Sequence, residues 1–264
     1  MTTLHAGTFG FDRPRDQYTR RLKFVELPLR SPFPPPKKTN LWRKEAGEDF
    51  VFALSVPESF WGEPEFPLKD PVHTRAEVDR LQNMISSLKP EILVFRTPLS
   101  VRPGSAAFER FRTLCVDRLQ KMATVIVWEP TGIWERETAV KLMADLANVL
   151  VAADPLHDDV SEESHVYARM RGLGVDSRYH ASKLEDLLAA IEHCDEAWVV
   201  FETPSGFKEA TTLLALHNDV DTDGPAYTSE EDDEDEDLDE DEDEDEDEDL
   251  DEDEDDGDDG DETE

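Results

Sequence analysis

The sequence predicts a distorted TIM-like (β/α)8 barrel followed by an acidic C-terminal tail. Three observations carry this reading. Eight short β-branched or aromatic runs recur along the chain, amphipathic helical patterns fall between several of them, and the excess acid is concentrated beyond residue 218. Strands alternating with helices mark a parallel sheet buried on both faces. Eight such strands in a chain near the lower size limit of the barrel favour closure over an open sheet.

The runs are residues 4–11, 24–29, 50–56, 92–97, 124–129, 149–154, 165–171 and 197–202. Between them, Thr74 and Glu77 have capping-box spacing, in which the hydroxyl accepts from the third helical amide and the carboxylate reaches back. Val78, Leu81, Ile85 and Leu88 then share one face. Ser182 and Glu185 repeat the pattern ahead of Leu184, Leu187, Leu188 and Ile191, and Phe108, Phe111, Leu114, Leu119 and Met122 form a third apolar stripe. Two segments fit less well. Residues 155–164 are too few for a crossover helix, and residues 31–38, with Pro32, Pro34, Pro35 and Pro36, read as an extended loop. One or two helices of the barrel are therefore expected to be missing.

The net charge of −38 is unevenly placed. Of 65 acidic residues, 33 lie from Asp219 onward with no Lys or Arg among them, so residues 1–218 carry 32 acids against 27 bases, a net of −5. A halophilic protein would spread its acid over the whole surface. In residues 229–264, 30 of 36 side chains are Asp or Glu, a composition that repels itself and has nothing to bury. The expected organisation is a barrel domain over 1–218 and a disordered polyacidic tail over 219–264.

Cys115 and Cys194 stand alone and no His-x-His spacing occurs, so reduced thiols are expected, with no metal and no cofactor. The first eleven residues lack the charged and long apolar regions of a secretory signal. No apolar run approaches the ~18 residues that span a bilayer. A cytoplasmic protein without membrane association is expected.

Functional groups of a barrel collect at the C-terminal ends of its strands, where the loops form the open mouth. That rule selects Glu26, Arg96, Glu129, Asp154, Arg169, Arg171 and Glu202. Tyr167, Arg169 and Arg171 are two apart, so a strand projects all three to one face. Two guanidiniums beside a phenol suit a carboxylate or phosphate; equally, they can pair with Glu26, Glu129 or Asp154 and close the mouth. Glu26 and Glu202 are the candidate catalytic carboxylates, if burial separates their pKa values, or else salt-bridge partners. A Gly-x-Ser-x-Gly elbow is absent. A second feature is the stretch from 13 to 44, where Arg13, Arg15, Arg20, Arg21, Lys23, Arg30, Lys37, Lys38, Arg43 and Lys44 face only Asp16 and Glu26. It is either a solvated face or a nucleic-acid or other polyanion surface, with Tyr18, Phe33 and Trp42 interleaved for stacking.

The strand-end motifs Gly7-Thr8-Phe9-Gly10-Phe11, Val25-Glu26, Val56-Pro57, Tyr167-Ala168-Arg169-Met170-Arg171-Gly172 and the single Trp134 resemble those of the YecE-like family, domain of unknown function 72. The resemblance spans most of residues 4–216 and implies a TIM barrel with its site at the mouth. Several polar positions depart from the family pattern: Pro28 stands for an Asn, Ser55 for a Lys, Pro130 and Thr131 for an Arg-His pair, Arg171 for a His, and Glu202 and Thr203 for paired Asn. The reading that results is a divergent YecE-like barrel binding a small anionic ligand through Arg96, Tyr167, Arg169, Arg171, Glu129 and Asp154. Hydrolase or lyase chemistry by Glu26 or Glu202 is the accompanying expectation. The alternative is a non-enzymatic interaction protein whose basic N-terminal surface is held off its polyanionic partner by the tethered tail.

Because the tail has few apolar groups to bury, Leu238 and Leu250 being the only large ones from residue 229 onward, deleting residues 221–264 is expected to leave the thermal midpoint within ~5 °C of the full chain at low and moderate salt. A larger drop would show that the tail supports the fold.

Overall fold

The computed structural model describes residues 2–30, 33–58, 72–99, 101–113, 125–146, 148–172, 174 and 177–220. The side chains of Thr74, Glu77 and Val78, residues Leu114, Cys115, Leu119 and Met122, and the tail beyond Val220 lie outside this set. In chain order the elements are β1 (Thr3–Phe9), α1 (Arg15–Arg21), β2 (Phe24–Pro28), α2 (Pro36–Ala46), β3 (Val51–Val56), α3 (Val72–Leu88), β4 (Ile92–Arg96), α4 (Ser105–Thr113), β5 (Val125–Glu129), α5 (Arg136–Met143), β6 (Val149–Val151), β7 (His165–Arg171), α6 (Ala181–Ile191), β8 (Glu196–Glu202) and α7 (Gly206–Val220). All strand pairs are parallel, in the order β6-β5-β4-β3-β2-β1-β8-β7. The two end strands meet just past β6, where Ala153 bridges to Ala168. There the Ala153 amide donates to the Tyr167 carbonyl at 3.0 Å and the Arg169 amide to the Ala153 carbonyl at 2.8 Å. The barrel closes through that short seam.

Side chains alternate across each strand, and both faces are buried. Phe24, Ala53, Val94, Val127, Tyr167 and Val200 fill the interior. Their neighbours, such as Val25, Phe52, Leu93, Ile126 and Val199, pack outward against Leu81, Ile85, Leu187 and Leu213 of the surrounding helices. The opening glycine of the first motif has a steric cause. A Cβ on Gly7 would lie 2.1 Å from the Phe24 carbonyl oxygen, so β1 and β2 approach this closely only without a side chain there. Gly10, at φ +84°, turns the chain out of β1 as its amide donates to the Glu26 carbonyl at 2.7 Å.

Three boundaries differ from the sequence reading. In the proline-rich segment Pro35 is extended, but α2 begins at Pro36, because the first helical position needs no amide donor and the ring presets its φ. The second capping box does not form, since α6 starts at Ala181 behind His180 with no side-chain cap; the His180 carbonyl instead accepts from Lys183 and Leu184. Helix α7 continues to Val220, past the boundary placed at 218, since extending an existing helix costs little compared with starting one. None of the described helices is long and apolar enough to cross a membrane.

One helix of the barrel is replaced by turns, the crossover between β6 and β7, as its ten residues required. Arg136, at the start of α5, braces the replacement. Its Nε donates to the Ala152 carbonyl at 3.2 Å, Nη1 to the Asp159 carbonyl at 3.3 Å, and Nη2 pairs with Glu163 at 2.5 Å. Burial pushes the Glu163 carboxyl above its ordinary pKa despite that guanidinium. Arg136→Ala is expected to cost about 2–3 kcal/mol, because the carbonyls and the half-buried Glu163 lose a charged donor together. Urea unfolding would measure it; a loss below ~0.5 kcal/mol, the size of a surface substitution, would mean that the turn stands without the brace.

Candidate functional site

Above the apolar interior, the next inward positions toward the strand C-termini are polar: Glu26 on β2, Ser55 on β3, Arg96 on β4, Glu129 on β5, Arg169 and Arg171 on β7, and Glu202 on β8. Parallel register brings them to one level, with Arg96 beside Glu129 and Arg171 beside Glu202. Six of the eight residues selected from sequence as catalytic or binding groups therefore meet in one cluster, and Tyr167 joins it from below.

Glu26 is the innermost charge, with no exposed surface. Tyr167 donates its hydroxyl to Glu26 Oε2 at 2.5 Å, while Ser55 and the Arg169 Nη2 both donate to Oε1. Arg169 is itself buried and reaches two further carboxylates, Glu129 Oε2 at 3.4 Å from Nε and Glu202 Oε2 at 3.2 Å from Nη1. Its guanidinium carbon also lies 5.0 Å from the Phe9 ring centroid. Arg171 donates from Nε to Glu202 at 2.9 Å and from Nη2 to Glu129, against which Arg96 Nε rests at 3.5 Å. Three carboxylates thus face three guanidiniums, and the cluster is charge-balanced.

Protonation follows from these contacts. Burial pushes the Tyr167 hydroxyl well above the ordinary phenol pKa, and the Glu26 carboxylate adds to the effect. For Arg169, burial opposes the charged form, but Glu26 and Glu129 outweigh it and raise the pKa. Glu202 likewise feels burial upward, yet Arg169 and Arg171 prevail and hold its carboxyl below the ordinary value.

Asp154 does not join the cluster. Its Oδ1 accepts from the Leu156 amide at 3.1 Å and its Oδ2 meets His157 Nδ1 at 2.9 Å, so it caps the turn that replaces the missing helix. It does border a cavity of about 270 Å³ at the mouth, lined also by Glu129, Trp134, Arg136, Asp158, Arg169 and Arg171. Sequence reasoning missed Ser55, Arg136 and Asp158. Ser55 was legible only as a departure from the family pattern, and the other two reach the mouth through the helix-less crossover, which no spacing rule anticipates. The stacking role expected for Tyr18 also fails: Tyr18 is fully buried, and its hydroxyl donates to the Phe24 carbonyl at 2.8 Å, bonds that position in the core.

The sign of the pH dependence follows from Glu202. Its folded pKa lies below the unfolded value of about 4.3, so its contribution is present above that value and is lost as the pH falls through the depressed folded one. The stability difference between the full chain and its Glu202→Gln variant is expected to be flat above roughly pH 5 and to shrink below about pH 4. The tail titrates in both proteins and cancels. A difference that persists unchanged to about pH 3 would remove Glu202 from the ionic network.

Comparison with known proteins agrees with this architecture. No curated protein sequence matches the chain. Among solved structures, a DUF72 family protein from Enterococcus faecalis V583 is similar at 15% identity with a TM-score of 0.62, covering 83% of this chain and 98% of that one. A DUF72 family protein from Thermotoga maritima MSB8 is similar at 15% identity with a TM-score of 0.56, covering 83% and 99%. A family 2 AP endonuclease from Brucella melitensis shares 16% identity at a TM-score of 0.51, covering 78% and 96%, and at that distance shows likeness of fold alone. The family model described as "Protein of unknown function DUF72" matches residues 15–235, and the chain belongs to that family.

Proposed function

We propose that the barrel mouth binds a small carboxylate- or phosphate-bearing ligand in the cavity between the ends of β5, β6 and β7. The observation that supports this reading is the state of the arginines there. Arg171 is 40% exposed and, among the described residues, its Nη1 has no partner. Beneath it, Arg169 keeps a buried Nε that makes no hydrogen bond, although Glu129 lies 3.4 Å away. Buried donors left unpaired are uncommon and are commonly met by a ligand or water. A guanidinium held by carboxylates at two nitrogens, with the third free, is preorganised to donate to an anion's oxygen. The cavity, about 270 Å³, falls just below the usual range for drug-sized ligands and suits a smaller molecule.

In this reading Glu26 is a positioning residue. It has no exposed surface to offer a ligand and fixes Arg169. Glu202, held ionised by two guanidiniums, is suited to accept a hydrogen bond and unsuited to be a general acid near neutral pH, and its lowered pKa makes it a weak base. Any hydrolase or lyase step would have to draw on Glu202 or Glu129 as base, with the arginines stabilising negative charge. Arg96, 39% exposed and set against Glu129, forms the outer edge of the mouth.

Inorganic phosphate at about ten times its Kd would stabilise the full chain by roughly 1.4 kcal/mol, or about 3–5 °C. The same addition is expected to shift an Arg171→Gln variant by less than half as much, at matched ionic strength. Equal shifts in the two proteins would place the effect in general exclusion from the surface and overturn the site.

A further inference from the structure

The basic stretch of residues 13–44 does not form one surface. Arg43 is structural: its guanidinium donates to the carbonyls of Leu88 at 2.7 Å, Phe50 at 2.6 Å and Lys89 at 2.7 Å, and lies 4.6 Å from the Phe52 ring. Arg15 pairs with Glu45 at 2.9 Å and lies, like Lys38, over the half-buried Trp42 ring. Of the seven other basic residues in the stretch, three come together. Arg13, Arg20 and Arg21 line, with Gln17, Phe207 and Thr211, a groove of about 480 Å³ on the outside of the barrel, formed by α1 and α7.

The electrostatics of this groove are opposite in kind to those of the mouth. Among the described residues, no carboxylate lines it. Arg13 and Arg20 touch Asp12 and Asp16 only at 3.5 Å, and the Arg20 pair is exposed on both sides, so it competes weakly with a ligand. Arg21 has no partner among the described residues. Arg13 is nonetheless held in place, its guanidinium carbon 3.5 Å from the Phe207 ring centroid. Gln17, Arg20 and Arg21 are three and four residues apart on α1 and so share one helix face.

We propose that this groove is a second binding site, separate from the mouth, and that it takes an oligophosphate group. Three planar forks with little internal neutralisation suit several phosphate oxygens at once. A single carboxylate would leave most of them unused. The groove also offers no free aromatic face, since Phe207 is covered by Arg13 and Tyr18 is buried in the core. Base stacking therefore has no platform, and recognition falls on the phosphates. The same chemistry occurs in inorganic tripolyphosphate and in the triphosphate of a nucleotide.

Calorimetric titration of the full chain with tripolyphosphate in about 50 mM salt tests this, since screening there is weak enough for exposed arginines to act. Binding is expected, with ATP of similar affinity. The Arg20→Gln, Arg21→Gln double variant is expected to lose about tenfold or more in affinity, whereas Arg171→Gln, which alters only the mouth, changes it by less than about twofold. Both substituted α1 residues are exposed, and an unchanged thermal midpoint confirms that the variant is folded. No binding by the wild type, or equal binding by the double variant, would overturn the proposal. So would an oligodeoxythymidylate that binds about tenfold more tightly than tripolyphosphate at equal phosphate concentration, because nucleotide contacts beyond the phosphates would then dominate. Loss of the mouth response with this groove intact, or the converse, separates the two sites.

Discussion

A carboxylate without water fixes the upper half of this barrel. Moving an ion of that size out of water costs several kcal/mol even after relaxation, so Glu26 is tolerable only if both oxygens are met by strong donors. Tyr167, Ser55 and Arg169 meet them. Arg169 then becomes a buried cation with the same requirement, which Glu129 and Glu202 satisfy, and these in turn draw in Arg171 and Arg96. The chain of compensation ends only where guanidiniums reach solvent, at about 40% exposure. Loss of a partner should therefore hurt more the deeper it lies: the innermost pair follows the rule for buried ion pairs, about 3–5 kcal/mol, and the rim pairs that for surface ones, under about 1 kcal/mol.

The same residues tie the network to the closure of the sheet. Arg169 donates its backbone amide to Ala153 across the seam while its side chain crosses the interior to Glu26. The seam is short, and the helix that ordinarily covers such a crossover is absent. Arg136 works on it from the other side, bonded to the Ala152 carbonyl next to the bridge. One arginine inside and one at the outer turn thus hold β6 and β7 together where backbone pairing is sparse.

Much of this was legible in the chain. The barrel follows from eight apolar runs and the helices between them. The location of the cluster follows from strand ends and from the two-residue spacing of Tyr167, Arg169 and Arg171. What sequence could not supply was pairing. Whether Arg171 faces a ligand or Glu202 depends on the register between β7 and β8, and the answer, one nitrogen committed to each of two carboxylates and one left free, has no linear signature. Asp154 was placed in the cluster by its strand-end position, but backbone amides two residues on compete for a short carboxylate side chain at a turn, and they won. Tyr18 lies in a basic run and reads as a surface aromatic; the close approach of β1 and β2 at Gly7 makes a slot that its ring and hydroxyl complete.

The departures from the family pattern also change meaning once positions are paired. Taken singly, an Arg for a His at 171 and a Glu for an Asn at 202 each alter the charge of a presumed site. The register sets them directly opposite, and they bond to one another at 2.9 Å. A cation and an anion set opposite one another leave the local charge unchanged. Ser55, by contrast, meets Glu26 without a charge. Its hydroxyl can still donate to that carboxylate but cannot neutralise it, which leaves Arg169 as the only guanidinium bonded to Glu26 among the described residues. The outcome is a mouth with no net charge. For the anions proposed above, recognition at the mouth falls on the geometry of Arg171, and at the groove on α1 and α7 on the local cluster of Arg13, Arg20 and Arg21, since a chain of net charge −38 offers an anion no long-range attraction. Selectivity is thus expected at the mouth and avidity for charge at the groove, from two arginine clusters on the same barrel.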